Sequence, residues 1–216
     1  MHQSIINLNN IQNSIKAILE KKNNIKIIAV SKTFPINHII PLIEYGHLDF
    51  GENKVQEAVD KWSDIKIKNK NLKLHLIGNL QTNKVKFAVR LFDFIHSVDS
   101  EKLAKKISDE QKKQSKKIKI FIQVNIGNED QKSGVSKSSL KDLYSYCKDL
   151  NLDVVGLMCI PPVNKSKNNY FEQMQNLNTN FGFNELSMGM SADYLDALKN
   201  SATYLRIGSS IFGQRS

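Results

Sequence analysis

The chain has 216 residues, of which 40% are hydrophobic and 24% charged, and a formal net charge of +10. That length suits one α/β domain around a single core, and no apolar run approaches the roughly 18 residues of a membrane span. Cys147 and Cys159 are too far apart for a CxxC site and lack histidine partners at zinc-finger spacing, so both read as buried thiols and no metal is expected.

The chain opens Met1-His2-Gln3-Ser4-Ile5, with no basic cluster ahead of an apolar block, and the cytoplasm is the expected compartment. Ile5, Leu8, Ile11, Ile15, Ile18 and Leu19 recur at helical spacing, which predicts an amphipathic helix within 1–22 that packs on the rest of the domain. Short apolar, β-branched runs then alternate with helical stretches. The runs are 25–31, 48–51, 74–78, 94–98, 118–125, 154–159, 185–188 and 204–208, the seventh being the weakest by composition. Helices are predicted over 39–45 after Pro35, then 53–62, 83–92, 101–114, 138–150, 167–180 and 192–200. Eight βα repeats in about 200 residues suit a single (β/α)8 TIM-type barrel over 1–216 better than a doubly wound sheet. The densest basic stretch, 102–119, holds eight lysines without arginine or aromatic residues and is interleaved with Asp109 and Glu110. It reads as a solvated helix face, so neither nucleic acid nor a membrane is an expected partner.

In such a barrel the C-terminal ends of the strands face the ligand. The first strand delivers Lys32 there, either as a snorkelling side chain or as an amine that desolvation makes nucleophilic toward a carbonyl. The second ends in Phe50-Gly51-Glu52-Asn53, where Asn53 and Gln56 also fit a capping box. After the third come His75 and the polar run Gly78 to Lys84, with His75 read as an inner-barrel residue. After the fifth come Asn125, Glu129 and Lys132, which also fit an exposed ion pair of small value. Ser187-Met188-Gly189-Met190-Ser191 and Arg206-Ile207-Gly208-Ser209-Ser210 follow the last two strands, where this fold usually cradles phosphate. Arg206, embedded in an apolar strand, needs an acceptor; an ion pair with a carboxylate such as Glu52 is one solution.

The segments Ala29-Val30-Ser31-Lys32, Phe50-Gly51-Glu52-Asn53, His75-Leu76-Ile77-Gly78-Asn79-Leu80-Gln81-Thr82-Asn83-Lys84, Gln123-Val124-Asn125 with Lys132-Ser133-Gly134, Gly156-Leu157-Met158, Leu186 to Ser191 and Arg206 to Gly213 together resemble the pyridoxal 5′-phosphate (PLP) homeostasis protein family, from Ile25 to Arg215. The resemblance implies a fold-type III PLP barrel related to the N-terminal domain of alanine racemase, without that enzyme's C-terminal β-domain. It implies PLP as cofactor, bound as a Schiff base on Lys32. Ser191, Gly208 and Ser209, with Ser187, would hold the phosphate; Arg206 would address the pyridine nitrogen, Asn53 the ring substituents, and Lys132 would handle PLP beyond the main position. Lys54 and Leu74 depart from the Tyr and Trp common in the family. An arginine facing the ring nitrogen favours the unprotonated ring, a poor electron sink, and a racemase needs a second base that the missing domain supplies in alanine racemase. The implied role is therefore a monomeric carrier without catalytic residues that buffers PLP or delivers it to apo PLP-dependent enzymes. A PLP-dependent amino-acid racemase of low activity is the alternative.

Overall fold

The computed structural model describes residues 1–19, 25–162 and 167–214. Lys22 and Arg215, at the expected ends of the first helix and of the family resemblance, lie outside the described residues. The first helix, α1, spans Gln3–Ile18. It buries Leu8, Ile11 and Ile15, and Asn7 Nδ2 donates to the Ile211 carbonyl at 2.9 Å.

Eight parallel strands follow: β1 (Lys26–Val30), β2 (Asp49–Glu52), β3 (Lys73–Leu76), β4 (Phe94–Val98), β5 (Lys119–Gln123), β6 (Asp153–Met158), β7 (Glu185–Met190) and β8 (Tyr204–Ile207). They pair in sequence order and close into a barrel, with Lys26 opposite Tyr204 and Ala29 opposite Ile207 at the seam. The connecting helices are α2 (Ile36–Glu44), α3 (Val55–Lys68), α4 (Val85–Leu91), α5 (Glu101–Gln114), α6 (Leu140–Asp149), α7 (Lys167–Asn180) and α8 (Tyr194–Lys199). A short α9 (Ser209–Phe212), which the sequence pattern did not reveal, follows β8. This is the TIM-barrel architecture expected from the repeat count.

Strand alternation divides the apolar residues into two cores. Outward side chains such as Ile27, Phe50, Ile95 and Leu205 pack under the helices in one large cluster. Inward side chains, Ile28, Val30, Phe94, Phe121, Met158 and Tyr204, fill the barrel itself. Two histidines join this inner group: His75 stacks on Phe94 at 4.4 Å and His96 on Phe121 at 4.3 Å. The inner-barrel reading of His75 therefore holds. β7 is longer than its composition indicated. Its register against β8 slips between Ser187 and Met190, where Gly189 has φ +89° and its α-hydrogen faces Ala197 Cβ. A Cβ there would sit 2.6 Å from Ala197, so glycine makes the bulge possible and disguises the strand.

Burial lowers the pKa of His47 and His75, and pushes that of His96 well below its ordinary value. A lowered pKa favours the neutral ring in the fold, whereas the unfolded chain takes up a proton on each below about pH 6.5, so the unfolded state binds more protons and stability decreases as the pH is lowered through that window. Urea denaturation at pH 7.5 and 5.5 tests this: the lower pH is expected to reduce the unfolding free energy by at least about 1 kcal/mol. Identical curves would show that these rings are protonated in the fold.

Candidate functional site

Lys32, Asn53, Ser191, Arg206, Gly208 and Ser209 line one cleft of about 320 Å³ at the C-terminal mouth of the barrel. The strand ends bring these six sequence candidates together. Val30, Ile77, Ile160, Met190 and Ala192 complete the lining and supply apolar surface. Ile77 was legible in principle, as the next inward position after His75; Met190 was not, because the bulge at Gly189 places it opposite Arg206.

Lys32 sits in a turn held rigidly from behind by α3. On one side, Ser31 Oγ donates to Glu52 Oε1 at 2.8 Å and the Ser31 carbonyl accepts from Lys61 Nζ at 2.9 Å. On the other, Thr33, at φ +67°, donates its backbone N–H to Glu57 Oε1 at 2.6 Å. Burial raises the Glu57 pKa, but the Thr33 N–H and Lys61 outweigh it and hold the carboxyl below its ordinary value. Glu52, fully buried, also accepts from Trp62 Nε1 at 2.9 Å and pairs with Lys61 at 3.0 Å.

Glu52 is consequently not the partner of Arg206. It points outward beneath α3, whereas Arg206 points into the barrel, on the opposite side of the sheet. Arg206, 4% exposed, donates from Nη1 to Ser187 Oγ and from Nη2 to the Cys159 carbonyl, both at 2.8 Å. Burial lowers its pKa, but a guanidinium starts high enough to stay charged at neutral pH. Ser187 itself is fully buried beneath Arg206 and supports the guanidinium from below. Cys159 and Cys147 are both buried, and burial pushes each thiol up to about 12.

Asn53 does not cap a helix: the N-cap of α3 is Lys54, with no side-chain cap hydrogen bond. Asn53 is instead fixed by close packing, since a Cβ on Gly78 would lie 2.4 Å from the Asn53 carbonyl oxygen. At the far side, Ser191 Oγ accepts from the backbone N–H groups of Gly208 and Ser210, each at 3.3 Å. Two main-chain donors thus converge on the Ser191 hydroxyl oxygen, which keeps its own proton to donate, a geometry that gathers donors suited to anionic oxygens at one side of the cleft. Asp193 anchors this loop by accepting from the Met190 N–H at 2.6 Å and pairing with Lys167 at 2.7 Å.

Lys132 lies in an adjoining cleft of about 330 Å³ that shares Asn53, Ile77 and Ile160 with the first. It pairs with Glu129 at 2.6 Å, and both side chains are about three-quarters buried, so the pair is less exposed than its loop position indicated. Among the described residues no group of three or more His, Cys, Asp or Glu side chains is placed to hold a metal, and no helix is long and apolar enough to cross a membrane.

The family model for the alanine racemase N-terminal domain matches residues 6–216. The pyridoxal phosphate homeostasis protein of Pasteurella multocida is 34% identical over 217 residues, covering 95% of this chain and 93% of its own. That of Aquifex aeolicus is 36% identical over 218 residues, covering 96% and 95%. The chain belongs to the pyridoxal phosphate homeostasis protein family. Among solved structures, PipY of Synechococcus elongatus with PLP bound superposes with a TM-score of 0.88 at 30% identity, over 98% of this chain and all of PipY. The alanine racemase of Clostridium difficile, at 19% identity and a TM-score of 0.74, shares the fold, and this chain spans 57% of it.

The support behind Lys32 is tested by Lys61→Met, which keeps the apolar stem but leaves the Glu52 carboxylate buried without its cation. A loss of about 3 kcal/mol in unfolding free energy is expected, measured by chemical denaturation; a change under about 0.5 kcal/mol would show that Lys61 is a solvated surface charge.

Proposed function

We propose that this chain is a carrier for PLP, held in the cleft between Lys32 and Arg206. The observation that carries the reading is the convergence of three different chemistries in about 320 Å³: an amine at Lys32, a fixed cation at Arg206, and the donor cluster at Ser191, Gly208 and Ser209. PLP, when bound, supplies an aldehyde able to link reversibly to an amine, on an aromatic ring carrying a nitrogen and a phosphate. The residues fit each part. Lys32 would supply the amine for attachment, Arg206 would donate to the ring nitrogen, and the Ser191 and Ser209 hydroxyls with the N–H groups of Gly208 and Ser210 would hold the phosphate. Asn53 would orient the ring substituents, and Val30, Ile77 and Ile160 would supply apolar surface to the ring. Ser187 acts through Arg206, and Lys132 handles PLP from the adjoining cleft.

The names of the homeostasis relatives and the PLP bound to PipY support the cofactor assignment. The lining supports a carrier over a racemase. Among the described lining residues, the ionisable groups are Lys32 and Arg206. Arg206 cannot serve as a base at neutral pH, which leaves Lys32 without the second base that stereochemical exchange requires. On this reading the cofactor's recipients would be apo PLP-dependent enzymes.

Incubating the purified protein with PLP, reducing with borohydride and mapping peptides by mass is expected to place the cofactor on Lys32, and Lys32→Ala to abolish the label. Ser191→Ala is expected to weaken PLP binding about tenfold, through loss of a hydroxyl bonded to a charged group. Labelling that persists in Lys32→Ala would overturn the site assignment, and amino-acid racemisation well above that of free PLP would overturn the carrier reading.

A further inference from the structure

A continuous line of polar side chains crosses the barrel from the mouth opposite the cleft. Asp49, at the start of β2 and 21% exposed, places Oδ1 2.9 Å from His75 Nε2. His75 Nδ1 lies 3.0 Å from His96 Nε2, and His96 Nδ1 lies 2.9 Å from Ser187 Oγ. Ser187 Oγ in turn meets Arg206 Nη1 at 2.8 Å. The five members come from β2, β3, β4, β7 and β8, and all but Asp49 are buried.

The ends dictate the direction of every bond. A guanidinium only donates, so Ser187 Oγ accepts from Arg206 and turns its own proton to His96 Nδ1. A neutral His96 then carries its proton on Nε2 and donates to His75 Nδ1, and His75 donates from Nε2 to the Asp49 carboxylate. The opposite polarity would face a His75 lone pair with a carboxylate oxygen and leave the Ser187 hydroxyl proton without a partner among the described residues. Burial lowers the pKa of both rings, in keeping with neutral imidazoles. Since Arg206 does not release a proton at neutral pH, the string does not conduct protons. It is an aligned row of dipoles with a cation at the cleft and an anion at the opposite mouth. Asp193, in the loop that carries Ser191, is engaged by Lys167 and the Met190 N–H.

We propose that Asp49 is a positioning residue for the cleft: its carboxylate selects the tautomers of His75 and His96, orients the Ser187 hydroxyl, and so holds the Arg206 guanidinium fixed in the direction it presents to a ligand. The string itself is independent of what that ligand is; its effect on PLP rests on the cofactor reading given above.

The test uses the full chain labelled with 15N at histidine and arginine. In the wild type without PLP, both rings are expected as Nε2–H tautomers and the Arg206 guanidinium N–H signals as separate and slowly exchanging. Asp49→Leu, which removes the acceptor at near-constant shape, is expected to mix the tautomers at both rings and collapse the Arg206 signals. It should also weaken PLP binding about tenfold and shift the visible absorption band of the PLP complex. Glu110→Gln is the control: this carboxylate is buried, at 8% exposed, and pairs with Lys106 on α5 at 3.2 Å, away from the string, so it should leave all four readouts unchanged. Should Asp49→Leu fail to fold, Asp49→Ala, which also removes the acceptor, is read through the Arg206 signals and PLP affinity. A His96 Nδ1–H tautomer in the wild type, or Arg206 signals indifferent to loss of the Asp49 carboxylate, would overturn the proposal. Absence of PLP binding by the wild type would overturn the cofactor reading and leave the NMR result standing.

Discussion

A guanidinium enclosed among aliphatic and aromatic side chains must have its charge answered, because an unpaired ion in such surroundings is among the least tolerable features a fold can contain. In this barrel Arg206 stands at that point, at the floor of the cleft, and much of the interior is arranged to accommodate it. TIM barrels usually fill their lumen with layers of branched apolar residues. Here the lumen carries two histidines stacked on Phe94 and Phe121, a buried serine beneath the arginine, and a main-chain carbonyl from Cys159 at its side. The stacking satisfies the ring faces and leaves the ring nitrogens for hydrogen bonding, so polar and apolar demands are met by the same side chains.

The other charged group of the cleft, Lys32, is secured by separate means. Its turn is clamped through its neighbours, Ser31 and Thr33, by Glu52 at the end of β2 and by Glu57 and Lys61 of α3. The left-handed backbone of Thr33 costs about 1 kcal/mol or more in isolation, and its N–H bond to a carboxylate offsets that cost. One cation is therefore positioned from inside the barrel and the other from the helical shell. Asn53, wedged on the backbone of Gly78 between them, belongs to both the main cleft and the one beside it.

The sequence disclosed the parts governed by local periodicity and by the rule that strand ends face the ligand. The eight runs, and the placement of Lys32, Asn53, Ser191, Arg206, Gly208 and Ser209 around one mouth, follow from that rule. What it concealed depends on contacts between distant strands. Glu52 and Arg206 look like natural partners by charge, but strand alternation sends them to opposite faces of the sheet. Asn53 and Gln56 have capping-box spacing, yet α3 begins one residue later than such a cap requires. The full length of β7 is masked by a glycine that serves a bulge, and the polar string has no local spacing at all, since its members lie on five different strands.

The seam of the barrel has a consequence for how the protein is made. Lys26 and Tyr204, joined by a 2.7 Å hydrogen bond from Nζ to the phenol oxygen, are 178 residues apart in the chain. On the ribosome β1 therefore emerges long before the strand that must flank it, and its edge stays open until β8 appears. Lys32 is translated among the first of the cleft residues, whereas Arg206 and the loop at Gly208 come among the last. A nascent chain thus displays the lysine without the cation and the loop that complete the cleft, and the cleft comes into existence in the same event that closes the sheet.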